Sequence, residues 1–244
     1  MAKTFKKDIL PGLIEECTKY MHASKWYNLE KLEPGLVKLW IEQLSLWTRS
    51  AFKVRGHVYA HCPHPEIRLA LLDVVGEEDV EDPRIGMNHR QLLVTSLGKA
   101  SGWTLQELEN AKPLPALLVT FEILFAVCKR TWIEGIALTA GMERMLQECG
   151  YFKLDARRLM RDAGWSEKDV AWFSGHDEAD EEHGALIELL DKYITDDAQW
   201  ELVREAVLEG WMAWWIMLDG VADAYKHGIK PVEGLSSPAL SKVF

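Results

Sequence analysis

The run His176-Asp177-Glu178-Ala179-Asp180-Glu181-Glu182-His183 sets the terms on which the rest of the chain is read. A His is followed by an Asp four residues on, and by a second His three residues after that. On an α-helix, at 100° per residue, His176, Asp180 and His183 fall at about 0°, 40° and −20° around the axis. Two imidazoles and a carboxylate therefore share one narrow stripe and can reach a common point. Nitrogen and oxygen donors that converge in this way suit iron, manganese or zinc. The competing reading is a solvated acidic face that happens to carry two histidines, since five of the eight residues are acids. The flanking chain decides between them.

On both sides the sequence reads as helix. Asp196 and Asp197 cap a long periodic segment, about 198–227, in which Trp200, Trp211, Trp214 and Trp215 recur among Val203, Val207 and Leu218. An aromatic stripe at that spacing reads as core, not as a cofactor box. Upstream, Ser166 with Asp169 is an N-cap pair for the segment that carries the opening run on to about Ile194. A short helix over 154–163 ends at Gly164. The segment 131–148 places Ile136, Ala140 and Glu143 at three-to-four spacing on one apolar face. A carboxylate there is costly to bury unpaired, so Glu143 is either a helix-edge residue beside Arg144 or a ligand.

Earlier still, a helix runs from Pro113 to about Lys129, and Thr104 with Glu107 forms a capping box over 104–110. Another opens near Met87 and carries His89. Pro65 starts an almost wholly apolar helix ending in Glu77-Glu78-Asp79, where the helix dipole disfavours anions. Either solvent or a cation holds those acids. A first amphipathic helix spans about 6–20, and a second, from Pro34, carries Leu36, Trp40, Gln43, Trp47 and Ala51. Between His57 and Pro65, three histidines and Cys62 gather around two prolines. Without a CxxC partner this reads as an extended connection, not a zinc site. With no strand, repeat or low-complexity linker in view, the expectation is one all-α domain of seven to nine helices over 1–228, with 229–244 as a loose tail.

The balance of 28 basic against 38 acidic residues, net −10, argues against nucleic acid or an anionic membrane as partner. Cys17, Cys62, Cys128 and Cys149 are scattered, and the polar N-terminus has no secretory core, so a cytoplasmic setting is expected. No apolar run has the roughly 18–20 residues of a membrane span.

The layout resembles the haem-oxygenase-like helical fold shared by thiaminase-type TenA proteins and the quinone-cofactor synthase PqqC. More closely it is similar to the haem-oxygenase-like diiron oxidases and oxygenases. That branch carries a Glu, a His soon after, a Glu on a middle helix, and then HxxxDxxH. Here the order reads Glu77 or Glu78, His89, Glu143, then His176, Asp180 and His183, with 33 residues between Glu143 and His176. Ile133-Glu134-Gly135 and Trp172-Phe173 match the neighbourhoods, and the resemblance covers about residues 20–225. It implies a metal site of Glu77, His89, Glu143, His176, Asp180 and His183, with Glu77 preferred over Glu78. It further implies two Fe²⁺ per chain, with manganese as the alternative. The implied partners are O₂, a small molecule such as an amino acid, amine or fatty acid, an external reductant and a second copy of the chain in a homodimer. The implied outcomes are C–C cleavage, desaturation or N-oxygenation. Arg130, Arg144 and Lys129 are the cations considered for a substrate carboxylate.

Two rivals make different demands. An HD-type metal phosphohydrolase would need Asp177 as a ligand beside His176, with His89 and Asp219 or Asp223. Asp177 lies about 100° from His176 on a helix, which makes that hard. A metal-free TenA- or PqqC-like enzyme would instead use Cys128 or Cys149 with a carboxylate, or histidines and arginines.

Overall fold

A computed structural model describes residues 3–233, apart from the side chains of 178–182. It is helical throughout: among the described residues there is no strand, only an isolated bridge between Asp82 and Met87. A π-helical turn, Phe5–Ile9, leads into α1 (Leu10–Ala23). Then come α2 (Pro34–His61), α3 (Pro65–Asp79) and α4 (His89–Leu93), the last prolonged by a π-turn over Val94–Gly98. The short α5 (Leu105–Glu109) precedes α6 (Pro115–Cys128), α7 (Trp132–Glu148) and α8 (Tyr151–Ala163). α9 (Ala171–Ala185) tightens into a 3₁₀ segment, Leu186–Lys192, before α10 (Asp197–His227).

These ten α-helices exceed the expected seven to nine because α4 and α5 are only five residues each. Such pieces are too short to show a period. Their starts are local chemistry: Asn88 with Gln91, and Thr104 with Glu107, close reciprocal capping boxes. Pro34, Pro65 and Pro115 each sit in a first turn, where the missing N–H costs nothing. Gly164 and Gly228 end α8 and α10 in the left-handed region. α2 does not stop at His57. It runs to His61, because a proline restricts only the residue before it, and Pro63 acts no earlier than Cys62.

α7 is the central helix, with 13 of its 17 residues buried. It packs against α2, α6, α9 and α10. Close approach is bought by small residues: a Cβ on Gly141 would stand 2.4 Å from Val207 Cγ2 of α10, and one on Gly135 2.7 Å from Val58 Cγ2 of α2. The tryptophans fill the core as their spacing predicts, with Trp47 edge-on to Trp214 and Trp211 edge-on to Trp215. Buried polar groups are tied down. Gln43 accepts from Leu114 N–H and donates to the Lys112 carbonyl, fixing the approach to α6. Trp26 Nε1 donates to Asp155, which pairs with Arg158, and this holds the α1–α2 connection on α8. No described helix is long and apolar enough to cross a membrane. After α10, Val232 N–H donates to the Pro113 carbonyl.

The three-histidine and cysteine region of the α2–α3 corner is packing. His57 and His61 stack on the last turns of α2, His64 stacks on Tyr193, and the Cys62 thiol turns to the His64 carbonyl.

Candidate metal centre

Five helices bring charged side chains to one buried point. α3 ends in Glu77 and Glu78, and α4 opens on His89. Glu143 comes from α7, His176 and His183 from α9, and Arg55 from α2. His89 is fully buried, while Glu143, His176 and His183 are 6%, 7% and 3% exposed. Among the described residues, two groups of donors form. Glu78, His89 and His176 offer atoms within 4.8 Å of one another, and so do Glu78, Glu143 and His183. Glu78 belongs to both. Asp180 is on α9, but its side chain lies outside the described part of the structure.

The sequence reading preferred Glu77. The structure gives Glu78 the central position, and the reason is helical phase. Ile67, Leu71, Val74 and Glu78 are the buried residues of α3, at steps of four, three and four. Glu77 stands 100° away. Its carboxylate accepts from His183 Nε2 at 2.9 Å and pairs with Arg84. It supports a histidine rather than joining either group.

The outer nitrogens of the other imidazoles are also held. His176 Nδ1–H donates to the Trp172 carbonyl at 3.0 Å, which leaves Nε2 facing inward. His89 Nε2–H donates to Asp82 at 2.9 Å. Asp82 is itself fixed by Arg84, whose backbone N–H and guanidinium both donate to it. Acceptors of this kind set the tautomer and raise the basicity of metal-binding histidines. The inward nitrogens, His89 Nδ1 and His176 Nε2, then face each other at 3.2 Å. Two lone pairs at that distance demand a cation between them, a proton or a metal ion. Burial lowers the His89 pKa, but its bonds to Glu78 and Asp82 outweigh that and raise it overall. Burial and the neighbouring His89 charge push His176 down to about 3. Burial raises Glu78, yet His89 and Arg55 hold it well below the carboxylate range. A neutral imidazole beside ionised carboxylates is a ligand set ready for a divalent ion, and the residues fit one.

Asp82 was not picked out from the sequence. The signal available was its place seven residues before His89 in an acid-rich corner. Asp82→Asn is expected to weaken Mn²⁺ binding by about 10–100-fold, measured by calorimetric titration with the fold checked by circular dichroism.

Beside the cluster lies a mostly apolar cavity of about 50 Å³, walled by Trp47, Leu138, Met142 and Phe152 and reached by Arg55, Glu78, Glu143 and His176. Arg130 and Arg144 are engaged elsewhere, with Glu209 and Glu148, and Lys129 lies over Phe125. Arg55 was missed, although it continues the apolar face of Trp47 and Ala51 by one step of four.

The rivals lose their residues here. Asp177 pairs with Lys153, Asp219 accepts from Trp26 N–H, and Asp223 pairs with Lys25. Neither Cys128 nor Cys149 lines the cavity. Burial pushes the Cys128 thiol up to about 12 and also raises Cys149. Of the four thiols only Cys149 is not fully buried. In the native protein a thiol-specific reagent is expected to modify Cys149 at most, with the remaining three reacting only in denaturant. Rapid labelling of Cys128 would contradict this.

Comparison with known proteins agrees with the geometry. The sequence matches the family of iron-containing redox enzymes over residues 38–215. The chain belongs to that family. Its fold is haem-oxygenase-like. A domain of unknown function with a heme oxygenase-like fold from Shewanella denitrificans superposes with a TM-score of 0.75 at 14% identity, over 92% of this chain and 95% of that one. A CADD-like protein of unknown function from Nostoc punctiforme gives 0.69 at 13%, over 90% and 98%. A TenA homologue from Pseudomonas syringae gives 0.64 at 14%, over 87% and 92%. No curated protein matches at a significant level.

Proposed function

We propose that this chain is a diiron oxidase or oxygenase that uses O₂ to oxidise a small, largely apolar molecule. Glu78, His89, Glu143, His176 and His183, with Asp180 from the same helix as the last two, hold two ferrous ions; manganese is the alternative. The observation that carries the reading is Glu78, one carboxylate common to two groups of nitrogen and oxygen donors. Two ions linked by a carboxylate need such a residue.

Ferrous ions bound there would supply electrons and open coordination positions to O₂. The chain's own residues do the rest. Asp82, Glu77 and the Trp172 carbonyl orient the three imidazoles. Trp47, Met142 and Phe152 keep water from the cavity, which has room for about three to five water molecules. That size favours a compact substrate. An external electron donor completes the reaction where the substrate does not supply all the electrons O₂ takes up.

The test is anaerobic loading of the purified protein with Fe²⁺, an iron count, and then mixing with O₂. Binding of two irons per chain and consumption of O₂, with a transient optical band, are the expected results. Panels of amino acids, amines and short fatty acids then identify the substrate class. Protein that takes up no iron, or holds it without consuming O₂ with any member of the panels, would sink the reading.

A further inference from the structure

Arg55 is absent from both donor groups, yet it sits at their edge. It is 7% exposed on the face of α2 that also carries Val54 and Val58. A guanidinium stays charged at any pH the protein meets, and a buried one must be paired. Nη2 of Arg55 donates to Glu143 Oε1 and lies 3.9 Å from Glu78 Oε1. Glu143 and Glu78 are two of the three donors in the group with His183. The guanidinium and a metal ion therefore compete for the same carboxylate. The other group is less contested: its imidazoles are backed by Asp82 and Trp172, and it meets Arg55 only through Glu78.

An ion that takes Glu143 leaves the guanidinium with its charge and without its strongest partner. Arg55 lines the apolar cavity, and the acids in that wall are Glu78 and Glu143. Once both are committed to metal, a positive charge remains beside Trp47, Leu138 and Met142. Asp79 feels that charge but does not line the cavity, so an incoming anion is the group that can neutralise it there. The fork of N–H donors suits a carboxylate.

We propose that Arg55 is an exchangeable cation: it neutralises Glu143 until a metal ion takes that carboxylate, and then becomes the anion-binding group of the cavity, with a small apolar carboxylate as its ligand. This rests on the metal-centre reading and adds a substrate class to it. An amine without a carboxylate is the wrong charge for the cavity.

The full-length protein, stripped of metal, is titrated with Mn²⁺, and free ion is followed by its paramagnetic resonance signal. Butyrate is then titrated calorimetrically into the stripped and the loaded protein. Wild type should show a tighter and a weaker Mn²⁺ site and bind butyrate only when loaded. In Arg55→Met the weaker site should tighten by about tenfold, and butyrate binding should fall by at least about tenfold. Arg55→Lys, which keeps the charge, should restore part of the butyrate affinity. Arg55→Gln carries the same two readings if Arg55→Met does not fold. Unchanged or weakened Mn²⁺ binding in Arg55→Met, or butyrate binding that survives the loss of charge, overturns the proposal. So does butylamine binding as well as butyrate. A wild-type protein that binds no Mn²⁺ at all fails at the metal centre itself, which distinguishes the two failures.

Discussion

Glu78→Gln is expected to strip both metal positions, whereas Glu77→Gln is expected to weaken binding by only about 10–100-fold. The two residues are adjacent and chemically identical, so the contrast isolates geometry. Glu78 is shared by both donor groups, is 9% exposed and is held ionised by its neighbours. An amide at that position keeps the shape but loses the charge, and its nitrogen cannot accept. Neither ion would then have its common ligand, and His89 and Arg55 would lose an anionic neighbour. Glu77 belongs to neither donor group and supports the centre through His183 Nε2 and through Arg84, which also holds Asp82, so its loss leaves every donor in place but loosens the support of the imidazoles. The measurement is metal content after loading with Mn²⁺ or Fe²⁺ and dialysis, followed by competition titration. Equal losses in the two variants would return the shared role to Glu77.

Glu143, His176 and His183 could be read from the sequence because they lie on long periodic helices. His176 and His183 are seven residues apart, and helix geometry alone puts them on one side of α9. Glu143 announced itself as an acid on an apolar face. What could not be read were the partners supplied by tertiary packing. Arg55 approaches Glu143 from 88 residues away in the chain, and periodicity within a segment carries no information on which helix will face it. Asp82 works through a turn closed by the left-handed Gly86 and the Asp82–Met87 bridge, a geometry with no period. The choice between Glu77 and Glu78 was legible in principle: Ile67, Leu71 and Val74 point to residue 78 as the next inward position. The resemblance preferred Glu77, and the distance to His89 could not decide between the two, because the chain between α3 and α4 is irregular and its length fixes no phase. The helix count was off for a related reason. Segments of five residues are defined by their caps, not by a hydrophobic repeat.

The bundle that positions these residues is expected to be most sensitive where backbones touch. Gly220→Ala is expected to destabilise the protein by about 1–3 kcal/mol, while Gly56→Ala is expected to stabilise it by about 0.5–1 kcal/mol. Both glycines lie inside long helices, so a methyl group lowers the entropy of the unfolded chain equally at each. The surroundings differ. A Cβ on Gly220 would stand 2.1 Å from the Ala116 Cβ on α6, and Ala116 has no torsion with which to withdraw. α6 and α10 would have to part, loosening the packing on one side of α7 and therefore around Glu143. A Cβ on Gly56 meets nothing within 4 Å. Thermal unfolding of the two variants measures the contrast: Gly220→Ala should lower Tm by several degrees, about 2–4 °C per kcal/mol for a chain of this size, and Gly56→Ala should raise it slightly. Equal shifts in the two would mean that α6 and α10 have room to spare at their crossing. The close backbone contact would then not be what sets the position of α7, and Glu143 would owe its placement to Arg55 and the neighbouring helices instead.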